Sequence, residues 1–218
     1  MALKNFTMTA ARPLPIILLA DVSGSMSVEG KIQALNQAVR EMNMAFAEEE
    51  AERAQIQVAI ITFGAGGAHL VQELTPAAET SWQDMQAAGS TPMGAAFTLV
   101  KELVEDHEKI PSRAYRPTLI LVSDGEPNDE WQAPLQALLQ SERASKAIRF
   151  AMGIGADADT AMLQQFIADP EGKVFEAHEA RQIQRFFRWV TMSVTSRSRS
   201  TNPNQPPPNQ PDIDDYEF

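Results

Sequence analysis

Three stretches of the chain are apolar almost without interruption: 15–20 (Pro-Ile-Ile-Leu-Leu-Ala), the second half of 56–63, and 118–123. Runs this short with no polar face predict strands buried on both sides. A further strand is predicted at 148–154. Between the strands the apolar positions recur at helical spacing. Ile32, Leu35, Val39, Met42 and Phe46 define a helix over 29–50, whose polar face ends in Glu48, Glu49 and Glu50 and reads as solvated. A helix over 92–108 opens on Pro92, a residue suited to the first helical turn because its missing N–H has no partner there. Helices are also predicted over 129–145, with Leu135, Leu138 and Leu139 inward, over 159–168, and over 179–194, with Ile183, Phe186, Phe187, Val190 and Val194 inward.

A glycine-rich turn at 64–67 leads into a short strand at 69–74, which predicts an antiparallel hairpin with 56–63. The connection over 75–90 is polar, with Trp82 and Met85 set to cover the core. A short strand is expected at 173–176. Strands alternating with helices predict an α/β fold: a doubly wound, Rossmann-like, mostly parallel sheet with one antiparallel edge strand and helices on both faces. Binding sites in such sheets form at the C-terminal ends of strands near the switch point.

The organisation expected is an extension at 1–13, one folded domain at 14–194 and a tail at 195–218. The tail is rich in Ser and Arg, then in Pro, Asn and Gln, a composition that cannot bury a core. It ends in Asp212-Ile-Asp-Asp-Tyr-Glu-Phe218, either a solubilising segment or a short linear motif on a semi-rigid spacer. Ser196, Ser198, Ser200 and Thr201 lie beside Arg197 and Arg199 as candidate phosphorylation positions.

Composition narrows the function. The net charge is −11, from 29 acidic and 18 basic residues. That balance argues against nucleic acid or an anionic membrane as partner. The absence of cysteine removes disulfides, thiolate metal sites and cysteine nucleophiles. No apolar stretch approaches the roughly 20 residues of a membrane helix. Lys4 and Arg12 before the apolar run faintly resemble a leader, but the run carries Pro13 and Pro15 and flows straight into a polar turn, so a strand is expected, in a cytoplasmic protein.

The candidate chemistry lies in three loops. Asp21, Ser23 and Ser25 (Asp-x-Ser-x-Ser) follow the first strand and offer half an octahedral oxygen shell for a hard cation. Thr91 stands at a helix start in Ser-Thr-Pro-Met-Gly. Asp124 follows the strand 118–123 in Ser-Asp-Gly-Glu-Pro-Asn. Each loop alone also suits capping and turns; all three, in order, at strand ends or a helix start, are far more specific.

With these residues the chain resembles a von Willebrand factor type A (VWA) domain carrying a metal-ion-dependent adhesion site (MIDAS). The family's motif stands here as Asp21, Ser23, Ser25, Thr91 and Asp124, and the resemblance spans about 14–194. Within the family it is most similar to bacterial tellurium-resistance proteins of the TerY type, through Pro-Ile-Ile-Leu-Leu-Ala-Asp-Val-Ser-Gly-Ser-Met, Lys31-Ile-Gln-Ala-Leu-Asn and Ser90-Thr-Pro-Met-Gly-Ala-Ala. The resemblance implies a non-enzymatic adaptor. The five residues would hold Mg²⁺, or alternatively Mn²⁺ or Ca²⁺, and an Asp or Glu of a protein partner would complete the shell. A serine/threonine kinase or PP2C-type phosphatase of a tellurite or stress-response system is the expected partner. Loops 28–30, 75–90 and 126–131 would set specificity, with Trp131 either an interface anchor or a helix-end core residue. Asp212, Asp214, Asp215 and Glu217 of the tail are candidate ligands for the site of a second copy.

Two rival readings stand beside this one. A Mg²⁺-dependent phosphotransferase or hydrolase of doubly wound fold would need a second acid two residues after Asp21, where Ser23 stands and cannot act as a general acid at neutral pH. There is no P-loop, and His69, His107 and His178 are scattered. The other rival is a scaffold whose metal is purely structural.

Overall fold

The computed structural model describes residues 11–49, 51 and 53–206. The six strands are β1 (Arg12–Asp21), β2 (Ala54–Gly64), β3 (Gly67–Pro76), β4 (Thr118–Ser123), β5 (Ile148–Ile154) and β6 (Phe175–Ala177). They form one sheet in the order β3-β2-β1-β4-β5-β6. All neighbours are parallel except β2 and β3, which form the hairpin that the glycine-rich turn predicts. The fold class expected from the alternation of elements is the one observed.

The helices are α1 (Lys31–Ala47), α2 (Met93–Glu105), α3 (Gln132–Gln140), α4 (Thr160–Ile167) and α5 (Ala180–Arg199). They divide between the two faces of the sheet. Ile16, Leu18 and Ala20 of β1 point into a core shared with α1 and α5. Ile17 and Leu19 point the other way, into a core shared with α2, α3 and α4. The period-two alternation of a strand covered on both faces explains why 15–20 carries no polar residue. Phe97 and Phe166 stack between α2 and α4 at 5.7 Å. Phe175, Phe186 and Trp189 cluster on the other face, Phe175 meeting Phe186 edge-on at 4.8 Å and Trp189 at 5.0 Å. Trp82 and Met85 do cover the first core. Met85 is fixed by Asn36, which donates to its carbonyl at 3.0 Å and accepts from its N–H at 2.8 Å.

Most element ends differ from expectation by a few residues: α1 spans Lys31–Ala47 where 29–50 is expected, α3 stops at Gln140 where 145 is expected, and four further ends bear on packing. β1 begins at Arg12, before the continuous apolar run. α2 ends at Glu105, where Asp106 turns the chain by accepting from the N–H of Glu108 at 2.8 Å. α3 begins at Gln132 because Asp129 is engaged elsewhere. α5 continues to Arg199, five residues past Val194. In that last turn Arg197 is buried and donates to the carbonyls of Pro203 (2.8 Å) and Arg116 (2.9 Å) and to the hydroxyl of Thr118. Burial, aided by the charge of Arg116, pushes its guanidinium down to about 10, so it stays charged at neutral pH. Ser198 is also buried and donates to Glu49 (3.1 Å) and to the carbonyl of Thr195 (2.8 Å), so this serine is no phosphorylation position in the folded chain. Glu49, expected on a solvated face, receives Arg199 on both oxygens at 2.8 and 2.6 Å. The acidic segment 212–218 lies outside the described residues. Among those described, no helix is long and apolar enough to cross a membrane.

Candidate metal centre

β1 and β4 are the central pair at which the chain switches direction across the sheet, and their C-terminal ends carry the candidate acids. Asp21 is the last residue of β1 and Asp124 the first after β4. Both are buried, with Ser23 beside them, while Ser25 is exposed.

Side chains join four of the five sequence-predicted residues. The N–H of Ser23 donates to Asp21 Oδ1 at 2.8 Å. The hydroxyls of Ser23 and Ser25 are 3.0 Å apart. Ser25 Oγ donates to Asp124 Oδ1 at 2.7 Å. Thr91, the fifth, comes in through the backbone: its carbonyl accepts from the N–H of Met93 at 2.9 Å and from that of Asn128 at 3.1 Å. The N–H of Gly24 in turn donates to the carbonyl of Gly89 at 2.9 Å. The three motif loops are therefore laced into one unit by main-chain hydrogen bonds, which side-chain substitutions leave in place. The Thr91 residue is largely buried, and its hydroxyl makes no hydrogen bond among the described residues, so its oxygen is free to take a ligand.

Three residues that the sequence reading did not place in the site support it. Ser123 Oγ donates to Asp21 Oδ2 at 2.6 Å. Lys31, first residue of α1, sets its ammonium 2.8 Å from Asp124 Oδ2. Asp129 caps α2, accepting from the N–H groups of Gly94 (2.9 Å) and Ala95 (3.0 Å), where its charge also suits the helix dipole. Gly94 allows this approach: a Cβ there would lie 2.2 Å from the carbonyl oxygen of Glu130. Sequence offered faint signals. Ser123 belongs to the Ser-Asp-Gly run, and Lys31 opens the Lys-Ile-Gln-Ala-Leu-Asn segment, but neither contact follows from local pattern. A fourth loop also joins the rim. Residues 156–161, after β5, line with Ser25, Lys31, Asp124 and Glu126 an open cleft of about 580 Å³.

Burial raises the Asp21 carboxyl above its ordinary range. Hydrogen bonds from Ser123 and Ser23 oppose the shift, and the neighbouring charge of Asp124 adds to it. Two carboxylates this close and this dry call for a cation. The ammonium of Lys31 supplies one positive charge, 2.8 Å from Asp124 Oδ2. No group of three or more His, Cys, Asp or Glu suited to a metal occurs among the described residues. A metal here would instead be held by two carboxylates and three hydroxyls. That all-oxygen set fits a hard divalent ion and suits poorly an ion that prefers sulfur or imidazole.

Of the rim residues, Val28 is 55% exposed. Trp131 is half-buried against the core under α2 and α3, so it is mainly a packing residue.

A family model for the von Willebrand factor type A domain matches residues 16–189. Among solved structures the chain is similar to a von Willebrand factor type A protein from Catenulispora acidiphila, with TM-score 0.64 and 22% identity, over 88% of this chain and 43% of that one. It is similar to the ArnB paralog VWA2 from Sulfolobus acidocaldarius, with TM-score 0.58 and 16% identity, over 87% and 46%. It is also similar to proximal thread matrix protein 1 from the mussel byssus, in a form with a zinc-occupied MIDAS motif, with TM-score 0.60 and 16% identity, over 86% and 48%. The chain thus spans less than half the length of each. No curated protein matches it.

Proposed function

The chain belongs to the von Willebrand factor type A domain family, and from that premise we propose that it is a metal-dependent protein-binding module, not an enzyme. The observation that carries the reading is the cluster of Asp21, Ser23, Ser25 and Asp124 at the carboxyl ends of β1 and β4, hydrogen-bonded to one another with Thr91 on a laced neighbouring loop.

Ser23, Ser25 and Thr91 would ligate a divalent ion directly, and Asp21 and Asp124 directly or through water. Where the two aspartates act through water, the direct protein donors are neutral hydroxyls, so the ion would keep much of its positive charge and attract an acceptor from outside. In the reading proposed here, that acceptor is an Asp or Glu side chain of a partner protein. Val28 and the loops around 75–90 and 126–131 would select which one. The ion proposed is Mg²⁺, the hard ion best suited to compact oxygen shells. The zinc-occupied MIDAS of the mussel protein supports divalent occupancy in a related fold. The setting proposed is the cytoplasm of a bacterium, in a tellurite or stress-response system of the TerY type, with a kinase or PP2C-type phosphatase as partner. The acidic segment 212–218 would be a second source of carboxylates, joining one copy to another.

Retention of a partner from native lysate tests this. Wild type with Mg²⁺ should retain at least one protein that is lost with chelator and lost with Asp21→Ala or Ser25→Ala. A partner set unchanged across all four conditions would make the metal structural and move partner binding to another surface. Copies lacking 203–218 that still self-associate in Mg²⁺ like the full chain would remove the tail from the proposal.

A further inference from the structure

Lys31 is placed against two local preferences. As the first residue of α1 it puts a positive charge at the helix end where the amide dipoles already point their positive pole. The turn that delivers it runs through two successive left-handed residues, Glu29 at φ 56° and Gly30 at φ 72°, a conformation that a non-glycine residue adopts only at a cost. What both lead to is one contact: the ammonium of Lys31, whose side chain is 17% exposed, sits 2.8 Å from Oδ2 of Asp124, whose side chain is fully buried. The other oxygen of that carboxylate accepts from Ser25. Each oxygen of Asp124 therefore has a partner before any ion enters.

We propose that Lys31 is the resident counter-ion of this centre, neutralising Asp124 in the metal-free protein and leaving it when a divalent ion binds. The inference rests on the metal-binding reading above. A divalent ion on Asp124 and an ammonium on the same carboxylate repel each other across a few ångströms of poorly screened interior. The flexible arm of the lysine yields, because the cleft beside it offers Glu126 and Asp157 as new acceptors. Lys31 thereby weakens divalent binding and sets the ion concentration at which the site fills. It also keeps two buried carboxylates from facing each other uncompensated while the site is empty of a divalent ion.

Calorimetric titration of the full chain with MgCl₂ tests this on wild type, Lys31→Met, Lys31→Gln and Lys31→Arg. The expected result is Mg²⁺ binding tighter by about tenfold or more in both neutral variants, near-wild-type binding in the arginine variant, and a lower melting temperature for the neutral variants without metal. In the wild type the ¹⁵N resonance of Lys31 Nζ should shift on adding Mg²⁺. Neutral variants that bind Mg²⁺ as well as or less well than wild type would overturn the proposal, since the lysine would then be assisting the ion. Failure of every chain, wild type included, to bind Mg²⁺, Mn²⁺ or Ca²⁺ would overturn the metal-binding reading itself, and the counter-ion role with it.

Discussion

At Asp21 the carboxylate is favoured by its donors and disfavoured by its burial. Ser123 is one of its donors, reaching Oδ2 from the adjacent strand at 2.6 Å. Ser123→Ala should leave Oδ2 without a partner in a dry position and cost about 1–3 kcal/mol, read as a lower midpoint in urea. The same substitution should weaken Mg²⁺ binding, because Asp21 loses the contact that fixes its orientation. The loops carrying the five candidate ligands were legible in sequence because they lie where an apolar run stops or a helix starts, and such boundaries are local. Ser123, Lys31 and Asp129 were not, because their roles depend on contacts across 102, 93 and 34–35 residues of chain. Asp129 illustrates the difficulty: its position before a helical pattern reads as the start of α3, yet its carboxylate serves α2.

Among the elements, α5 departs furthest from what its composition suggests. Serine and arginine over 195–200 look like the start of an unfolded tail, but the buried stripe simply changes chemistry. Val190 and Val194 are followed at helical spacing by Arg197 and Ser198, both buried. A reading that counts only apolar positions stops at Val194. The turn so gained joins α5 to α1 through Glu49, which accepts from Ser198 and twice from Arg199. The hydrogen bonds from Arg199 hold the Glu49 carboxyl below its usual value of 4.5. A depressed acid contributes stability that is complete above its unfolded pKa and is lost as pH falls through the folded one. Glu49→Gln should therefore cost on the order of 1 kcal/mol at about pH 7, modest because Arg199 is largely solvated. The gap from wild type should narrow in urea titrations as the pH is lowered below 4.5 and falls through the depressed folded pKa.

For the whole molecule, the centre at the β1–β4 switch ties both halves of the sheet together, since Asp21 and Asp124 belong to strands whose neighbours lie on opposite sides. An ion that binds only the folded chain stabilises it by mass action. Mg²⁺ at a hundred times its dissociation constant should add about 2.7 kcal/mol and raise the melting temperature by about 5–10 °C. Chelator should reverse the shift, and Ser25→Ala should reduce it. The doubly wound architecture was legible throughout because two buried faces leave so plain a mark on strands. The lacing of its loops by main-chain groups was not, since backbone hydrogen bonds carry no residue signature.

The Arg197 contacts have a mechanical consequence. They fasten residue 203 against Thr118 and Arg116, at the start of β4, while Asp124 lies just past its other end. A load applied between a ligand gripped at the metal and the chain beyond Pro203 would run lengthwise along β4 and its parallel neighbours β1 and β5. Strands pulled that way slide in shear and must break their ladder bonds together, instead of peeling apart one at a time. Residue 203 and the candidate metal centre thus stand at opposite ends of β4.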